Sequence, residues 1–297
     1  MNSAASARSL PRAVYHELVS MDVFDLVARM TLLLLILYAG SYWYIHVPMT
    51  VVCVCGLLTP LLYRSSLYWF ALTLVMGFGN AMNWYSIDNH KYLMTYWCLA
   101  LSVALSYGER APQVLASNAR LLIGLCFAFA VLWKALLSSD FLDGSFFLFT
   151  LLEDSRFEEV ARLLGGVTIE DQIANAIQMS DLCKSELNMT AVQLYYPQRL
   201  MDLAIALTWS SVVLELLVAV AFLCPAIRRL YAVRDWLLIL FAVTTYAIAT
   251  VAGFGWLLVI MGCAQCDPQR RVTRVSYVFV FFLIQMYSAP WKGLLPS

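Results

Sequence analysis

Few side chains in this sequence are equipped for chemistry, and those few stand in apolar surroundings. Lys134 and Arg120 lie in one long apolar stretch, fourteen residues apart. That separation is close to four turns at about 3.6 residues per turn, so both lie on one helix face, with Gly124, Phe127 and Val131 between them. A face with a charge at each end is more cheaply turned towards neighbouring helices than towards lipid. The competing reading has Lys134 snorkel to the interface and anchor its helix. Glu215 is embedded in another apolar stretch, at a depth that predicts a structural ion pair with Arg120. Asp202, earlier in the same stretch, is the predicted counter-charge of Lys134. Asn80 and Asn83 share a face at i, i+3 spacing. The loop Asp88-Asn89-His90-Lys91 follows them, and His90 carries the one side-chain type whose ordinary pKa lies near neutrality. A loop histidine more often hydrogen-bonds than catalyses. The positions of His90, Lys134, Asn80, Asn83 and Asp202 nevertheless predict one polar cavity opening outward, with Lys134 and His90 as its catalytic candidates and Asn80, Asn83 and Asp202 as substrate contacts.

The elements that must position these residues are membrane spans. The chain has 297 residues, of which 62% are hydrophobic and 13% charged. Soluble domains carry about 25% charged residues. Too few charges are present to coat a soluble protein, which excludes a soluble enzyme. Nineteen basic residues balance nineteen acidic ones, which leaves no electrostatic footprint for nucleic acid. Apolar stretches of about 17–25 residues cross a bilayer. On that measure the spans are 27–46, 49–63, 67–84, 92–107, 116–137, 200–223, 236–261 and 275–289. The second is interrupted by proline, and the seventh is a candidate for a break at Gly253-Phe254-Gly255. The predicted fold is all-α: a polytopic transmembrane helical bundle of about eight spans, with a polar tail over residues 1–26 and a transmembrane domain over 27–297.

Orientation follows from basic residues in short loops. With the N-terminus cytoplasmic, Arg8, Arg12, Arg64, Arg110, Arg228, Arg229, Arg234 and Lys292 fall inside. Lys91, Arg270, Arg271 and Arg274 fall outside, and the last three dissent from the rule. Eight spans then place both termini in the cytoplasm and residues 138–199 outside or in a lumen. This external loop holds ten acids and four bases. Its apolar spacing, Phe146 to Phe149 and then Val160, Leu163 and Leu164, predicts short amphipathic helices that lie on the membrane or cap the bundle.

Eight cysteines are present. Cys53, Cys55, Cys98, Cys126 and Cys224 fall in or beside spans and are expected to pack as small apolar residues. Cys263-Ala264-Gln265-Cys266 is a CxxC without a second pair or a histidine, so no metal site is predicted. It follows the C-terminal end of a span, where the helix dipole disfavours a thiolate and redox catalysis. In an oxidising compartment one of the two can pair with Cys183. Asn188-Met189-Thr190 is a glycosylation sequon on the external side. No P-loop, GxGxxG, HExxH or GxSxG occurs.

Two segments resemble a known family. Asp88-Asn89-His90-Lys91-Tyr92-Leu93, leading into an apolar helix, resembles the "NNHxYL" signature of the vitamin K-dependent gamma-carboxylase-like family, which carries the horizontally transferred transmembrane (HTTM) domain. Trp133-Lys134, followed by Asp140-Phe141-Leu142-Asp143-Gly144, resembles that family's "K-L-x-x-D-W-x-x-G" element. Leu214-Glu215-Leu216 is similar to its following span. The resemblance covers roughly residues 67–261. It implies a multi-helix bundle with an outward or lumenal cavity, a quinone or vitamin K-like hydroquinone as cofactor, and a lysine, here Lys134, that deprotonates it. Burial beside an apolar quinone makes a neutral amine physically reasonable. Lys134 precedes Asp140 by six residues where the family has four, and Ser106-Tyr107-Gly108-Glu109 stands where the carboxylases have a second Asn-His element. The large lumenal domain that binds the carboxylase's protein substrate is missing from the 297 residues, so protein gamma-carboxylation is not expected.

Two functions follow as expectations. One is an enzyme acting on a quinone-like or other amphipathic small molecule through Lys134 and His90. The other is a non-enzymatic carrier, or a structural subunit of a membrane assembly. An enzyme should hold Lys134 and His90 at the wall of one closed cavity. A carrier should show a polar path that includes Arg120 and Glu215.

Overall fold

The structure, a computed structural model, describes residues 17–18, 20–38, 42–154, 157–184, 194–248, 252–267 and 269–288. Most of the tail over residues 1–26, the sequon at Asn188, the side chain of Cys183, and Lys292 lie outside them. Among the described residues every regular element is helical. An apolar chain can satisfy its backbone polar groups within a helix alone, and the described residues do so in every regular element.

The chain divides into two compact units. The first comprises residues 1–126, 218–246 and 251–297, and the second residues 127–217 and 247–250. In the first unit α1 (Val23–Tyr38) is followed by α2 (Trp43–Leu58), the four-residue α3 (Pro60–Tyr63), α4 (Ser66–Met82) and α5 (Asn89–Ser106). The aromatic run Tyr42-Trp43-Tyr44, expected to end the first span, instead opens α2. α4 and α5 form an antiparallel pair. Ser66 Oγ bonds Ser102 O at 2.8 Å near one end of it, and Asn80 Nδ2 bonds Thr95 Oγ1 at 3.0 Å near the other. α1 packs against α2 and places Thr31 Oγ1 3.0 Å from the Trp97 indole nitrogen of α5. Arg64, just after α3, forks onto Asp25 of α1 at 2.9 and 2.6 Å.

α6 (Ala111–Leu132) continues a 3-10 turn over Gly108–Arg110 and runs into a π-turn over Trp133–Leu137. Together these make one 30-residue apolar helix. α11 (Gln198–Leu223) is the second helix long and apolar enough to cross a membrane. Only 17% and 33% of their most apolar windows are buried. The core helix of a soluble protein would be mostly buried, so both helices are candidate membrane spans.

The apolar stretch 236–261, read as one span with a candidate break at Gly253-Phe254-Gly255, belongs to two helices, α12 (Arg228–Ile248) and α13 (Ala252–Gln265). They turn back on each other. Arg234, in the second turn of α12, bonds Gln265, the last residue of α13, at 2.8 Å. α12 begins eight residues before the apolar stretch, and α13 opens one residue ahead of Gly253. α14 (Arg271–Ser288) then runs back beside α13, which also packs against α1. Tyr38 meets Gln285 at 3.3 Å at one end, and Arg274 Nη1 donates to Met21 O at 3.1 Å at the other. The close passage of α13 over α14 depends on Gly262, where a Cβ would stand 2.5 Å from the Tyr277 ring.

In the second unit α7 (Ser139–Leu142), α8 (Ser145–Glu153), α9 (Glu158–Leu163) and α10 (Ile169–Lys184) fill the expected long loop. Leu151, Phe157, Ala161 and Val167 pack with Leu200 and Ala204 of α11 into one apolar cluster. The amphipathic reading of this segment holds to that extent. Asn175, 1% exposed, accepts the Tyr195 N–H and donates to Tyr195 O, both at 2.8 Å, and so ties α10 to the approach to α11.

Candidate functional site

Lys134 sits in the π-turn that ends the 30-residue apolar helix. Such widened turns recur at functional sites because they re-aim side chains out of the regular helical ladder. Lys134 Nζ donates to Glu215 Oε1 at 2.5 Å. The same ammonium stands 4.7 Å from the centroid of the Phe141 ring, a cation–π contact. Phe141 is itself buried and packs on Phe146 and Phe147, with ring centroids 5.2 and 5.7 Å apart. Glu215 is 7% exposed, and its second oxygen, Oε2, is buried without a hydrogen-bond partner. The site therefore offers an N–H donor and an open carboxylate acceptor side by side against an aromatic wall. That arrangement fits a hydroxyl group, which accepts from Nζ and donates to Oε2.

The segment after the π-turn is shaped around this site. Asp143 Oδ1 accepts the Ser145 N–H at 2.8 Å and opens α8, and this backbone bond holds the exposed Asp143 carboxyl below its ordinary pKa. Gly144 has φ of +90°, a region that L side chains rarely adopt, and a Cβ there would also stand 3.0 Å from Ile205.

Two predicted pairings are corrected. Asp202 does not serve Lys134; it accepts from Gln198 at 3.1 Å. Glu215 takes Lys134 instead of Arg120, while Arg120 donates to Tyr231 Oη at 2.6 Å and Ser117 Oγ at 3.3 Å. Both errors have one cause. The expected register aligned the start of α11 with the end of α6. In the structure the first turns of α11, with Leu200 and Ala204, cover the short helices of the loop. The residue that meets Lys134 therefore comes thirteen positions after Asp202, about 20 Å further along the helix.

Asn80, Asn83 and His90 belong to the first unit and Lys134 to the second. Asn80 is 4% exposed and bonds Lys91 O and Thr95 Oγ1, so it clamps α4 to α5. Asn83 Nδ2 closes the end of α4 on Gly79 O at 2.9 Å. Both asparagines line a recess with Tyr42, Ile45, Met76, Gly79 and Ile87 that has room for about one water molecule. It does not fit a quinone. His90 Nε2 lies 3.9 Å from Asp88 Oδ2, beyond hydrogen-bond reach. Burial pushes the His90 pKa below its ordinary value, against the pull of Asp88.

A third cluster was not foreseen from the sequence. Asp235 is fully buried, and its Oδ1 accepts from Gln265 Nε2 and, at 3.0 Å, from Tyr277 Oη. Gln265 Oε1 accepts from Arg234 Nε, and Arg234 stacks 4.2 Å from the Tyr231 ring. Arg270 Nη1 stands 3.8 Å from Asp235 Oδ2. Cys263 and Cys266 are free thiols. The signal that could have revealed the cluster is the Arg234-Asp235 pair at the head of a long apolar run that closes with Gln265. Among the described residues no group of histidine, cysteine and acidic side chains could hold a metal ion. No family model, curated protein or solved structure matches the chain.

Proposed function

We propose that the chain is a polytopic membrane protein that holds the hydroxyl group of an amphipathic small molecule, of hydroquinone type, at Lys134 and Glu215. The observation that carries this reading is the buried Oε2 of Glu215, left without a partner beside the Lys134 ammonium. A buried carboxylate oxygen without a hydrogen bond is costly, and a ligand hydroxyl removes that cost. Phe141 supplies the apolar wall for a ring. The segment resembling the carboxylase-like family's lysine element passes through this site, and the lipid-facing character of α6 and α11 fits a ligand that arrives from the bilayer. The chemistry open to the site is proton exchange between the bound hydroxyl and Glu215, with Lys134 holding the oxygen.

The same reading revises the number of crossings. The α12–α13 hairpin adds a reversal, so nine embedded helical segments replace eight. The starts of α1, α12 and α14 then share one end with Arg64, Arg228, Arg229, Arg270, Arg271 and Arg274. The three arginines that dissented now agree with a cytoplasmic N-terminus. An odd count puts the end of α14, at Ser288, on the external side.

The test is the lipid extract of the full chain purified in mild detergent. A hydroxyl-bearing amphiphile should co-purify with the wild type and be lost from the K134M/E215L double variant, which keeps the volume of the pair and removes both charges. Indistinguishable extracts would overturn the reading.

A further inference from the structure

The hairpin gathers basic residues that are far apart in sequence. Arg270 Nη1 donates to Ala232 O at 3.3 Å, so the turn before α14 lies against the first turns of α12. Arg228 and Arg229 open α12, and Arg271 opens α14. All four arginines are exposed, and Arg270 keeps 44% of its side chain in the open while facing Asp235. Among the described residues no acid pairs with Arg228, Arg229 or Arg271. The exposed acid of these turns, Asp267, accepts the Gln269 N–H at 2.9 Å.

An apolar stripe rises from this basic end. Val233, Trp236, Leu240 and Val243 follow one face of α12, and they are 43%, 49%, 49% and 39% exposed. From Arg229 to Leu240 the helix climbs about 16 Å, half the hydrocarbon thickness of a bilayer. The guanidinium groups therefore stand at the level of one row of lipid headgroups, with acyl chains against the stripe and the Trp236 indole at the boundary.

We propose that Arg228, Arg229, Arg270 and Arg271 bind the phosphate groups of anionic phospholipids. The match is one of charge and depth together: exposed guanidinium forks suit phosphate oxygens, and the stripe suits the tails of the same molecule. This rests on the membrane reading above but not on the ligand of Lys134.

The experiment uses the full chain, in vesicles and in detergent. Resistance to carbonate extraction from pure phosphatidylcholine vesicles reports membrane embedding by itself, and a chain that is stripped off overturns the membrane reading. Native mass spectrometry in detergent then compares phosphatidylserine with phosphatidylcholine of the same tails. The wild type should prefer phosphatidylserine by about tenfold or more, less so in high salt. R228Q/R229Q and R270Q/R271Q should each lose most of that preference, R228K/R229K should keep most of it, and R162Q, on exposed α9, should leave it unchanged. Equal binding of the two lipids, or full preference in both Gln variants, overturns the proposal. So does displacement of the lipid by inorganic phosphate at equal concentration, which would mark a site for the free ion.

Discussion

Arg234 Nε donates to Gln265 Oε1 at 2.8 Å across thirty-one residues that fold as two helices and a reversal. A single helix of that length would hold the two groups roughly 46 Å apart, at 1.5 Å per residue. The bond therefore decides that the stretch returns to the end from which it started. Asp235 locks the same end by accepting from Gln265 and from Tyr277 of α14.

Topology gives the first prediction. In a variant whose native cysteines are replaced, Gln269→Cys should react with an impermeant thiol reagent only after the cells are opened. Glu170→Cys should react in intact cells. Labelling of Gln269→Cys in intact cells would restore a single crossing between residues 236 and 261.

The helical character was legible because hydrophobic length is a property of composition, and two of the expected spans, 116–137 and 200–223, lie in helices long and apolar enough to cross a membrane. Lys134 and Glu215 were legible as costly embedded charges, but their pairing was not. Pairing depends on register, and register is set by where α11 starts to leave the short loop helices, which Leu200 and Ala204 decide by packing on residues 151–167. Asp235 was hidden for a related reason. Its partners Gln265 and Tyr277 come near only through the hairpin, and the glycines at 253 and 255 mark a break without saying that the chain turns back there.

Stability of the Lys134–Glu215 pair can be separated from ligand binding. Removing one partner of a buried pair costs about 3–5 kcal/mol, so Glu215→Ala should fall sharply in thermal stability in detergent. The K134M/E215L variant should recover most of that loss. Asp202→Ala, with its exposed contact to Gln198, should shift stability by no more than about 0.5 kcal/mol.

The α13–α14 contact should be intolerant of volume. Gly262→Ala places a methyl group against the Tyr277 ring and should cost about 1–3 kcal/mol. Tyr277→Phe removes one bond to Asp235 and should cost about 1 kcal/mol. Unchanged melting of Gly262→Ala would mean that the helices do not pass this closely.

His90 gives a pH prediction. Its folded-state pKa is lowered by burial, so the unfolded chain binds the proton more tightly. The contribution of His90 to stability is whole above the ordinary histidine pKa of about 6.5 and is lost as pH falls towards the lower folded value. Melting temperature should therefore drop on acidification from neutrality. His90→Gln should flatten that slope, and an unchanged slope would count against burial of the imidazole.

The central claim, that Glu215 accepts a hydrogen bond from a hydroxyl held by Lys134, is tested most directly by one pair of ligands. A prenylated hydroquinone and its dimethyl ether, which has no O–H to donate, are titrated into the full chain in nanodiscs while the fluorescence of Trp133, retained as the reporter, is followed. A site built around a hydroxyl rejects the analogue without one, because Glu215 Oε2 is then left unpaired in an apolar place. The account predicts saturable quenching by the hydroquinone and binding of the ether weaker by about tenfold or more, with the difference abolished in K134M/E215L. Equal affinity for the two ligands in the wild type would contradict it.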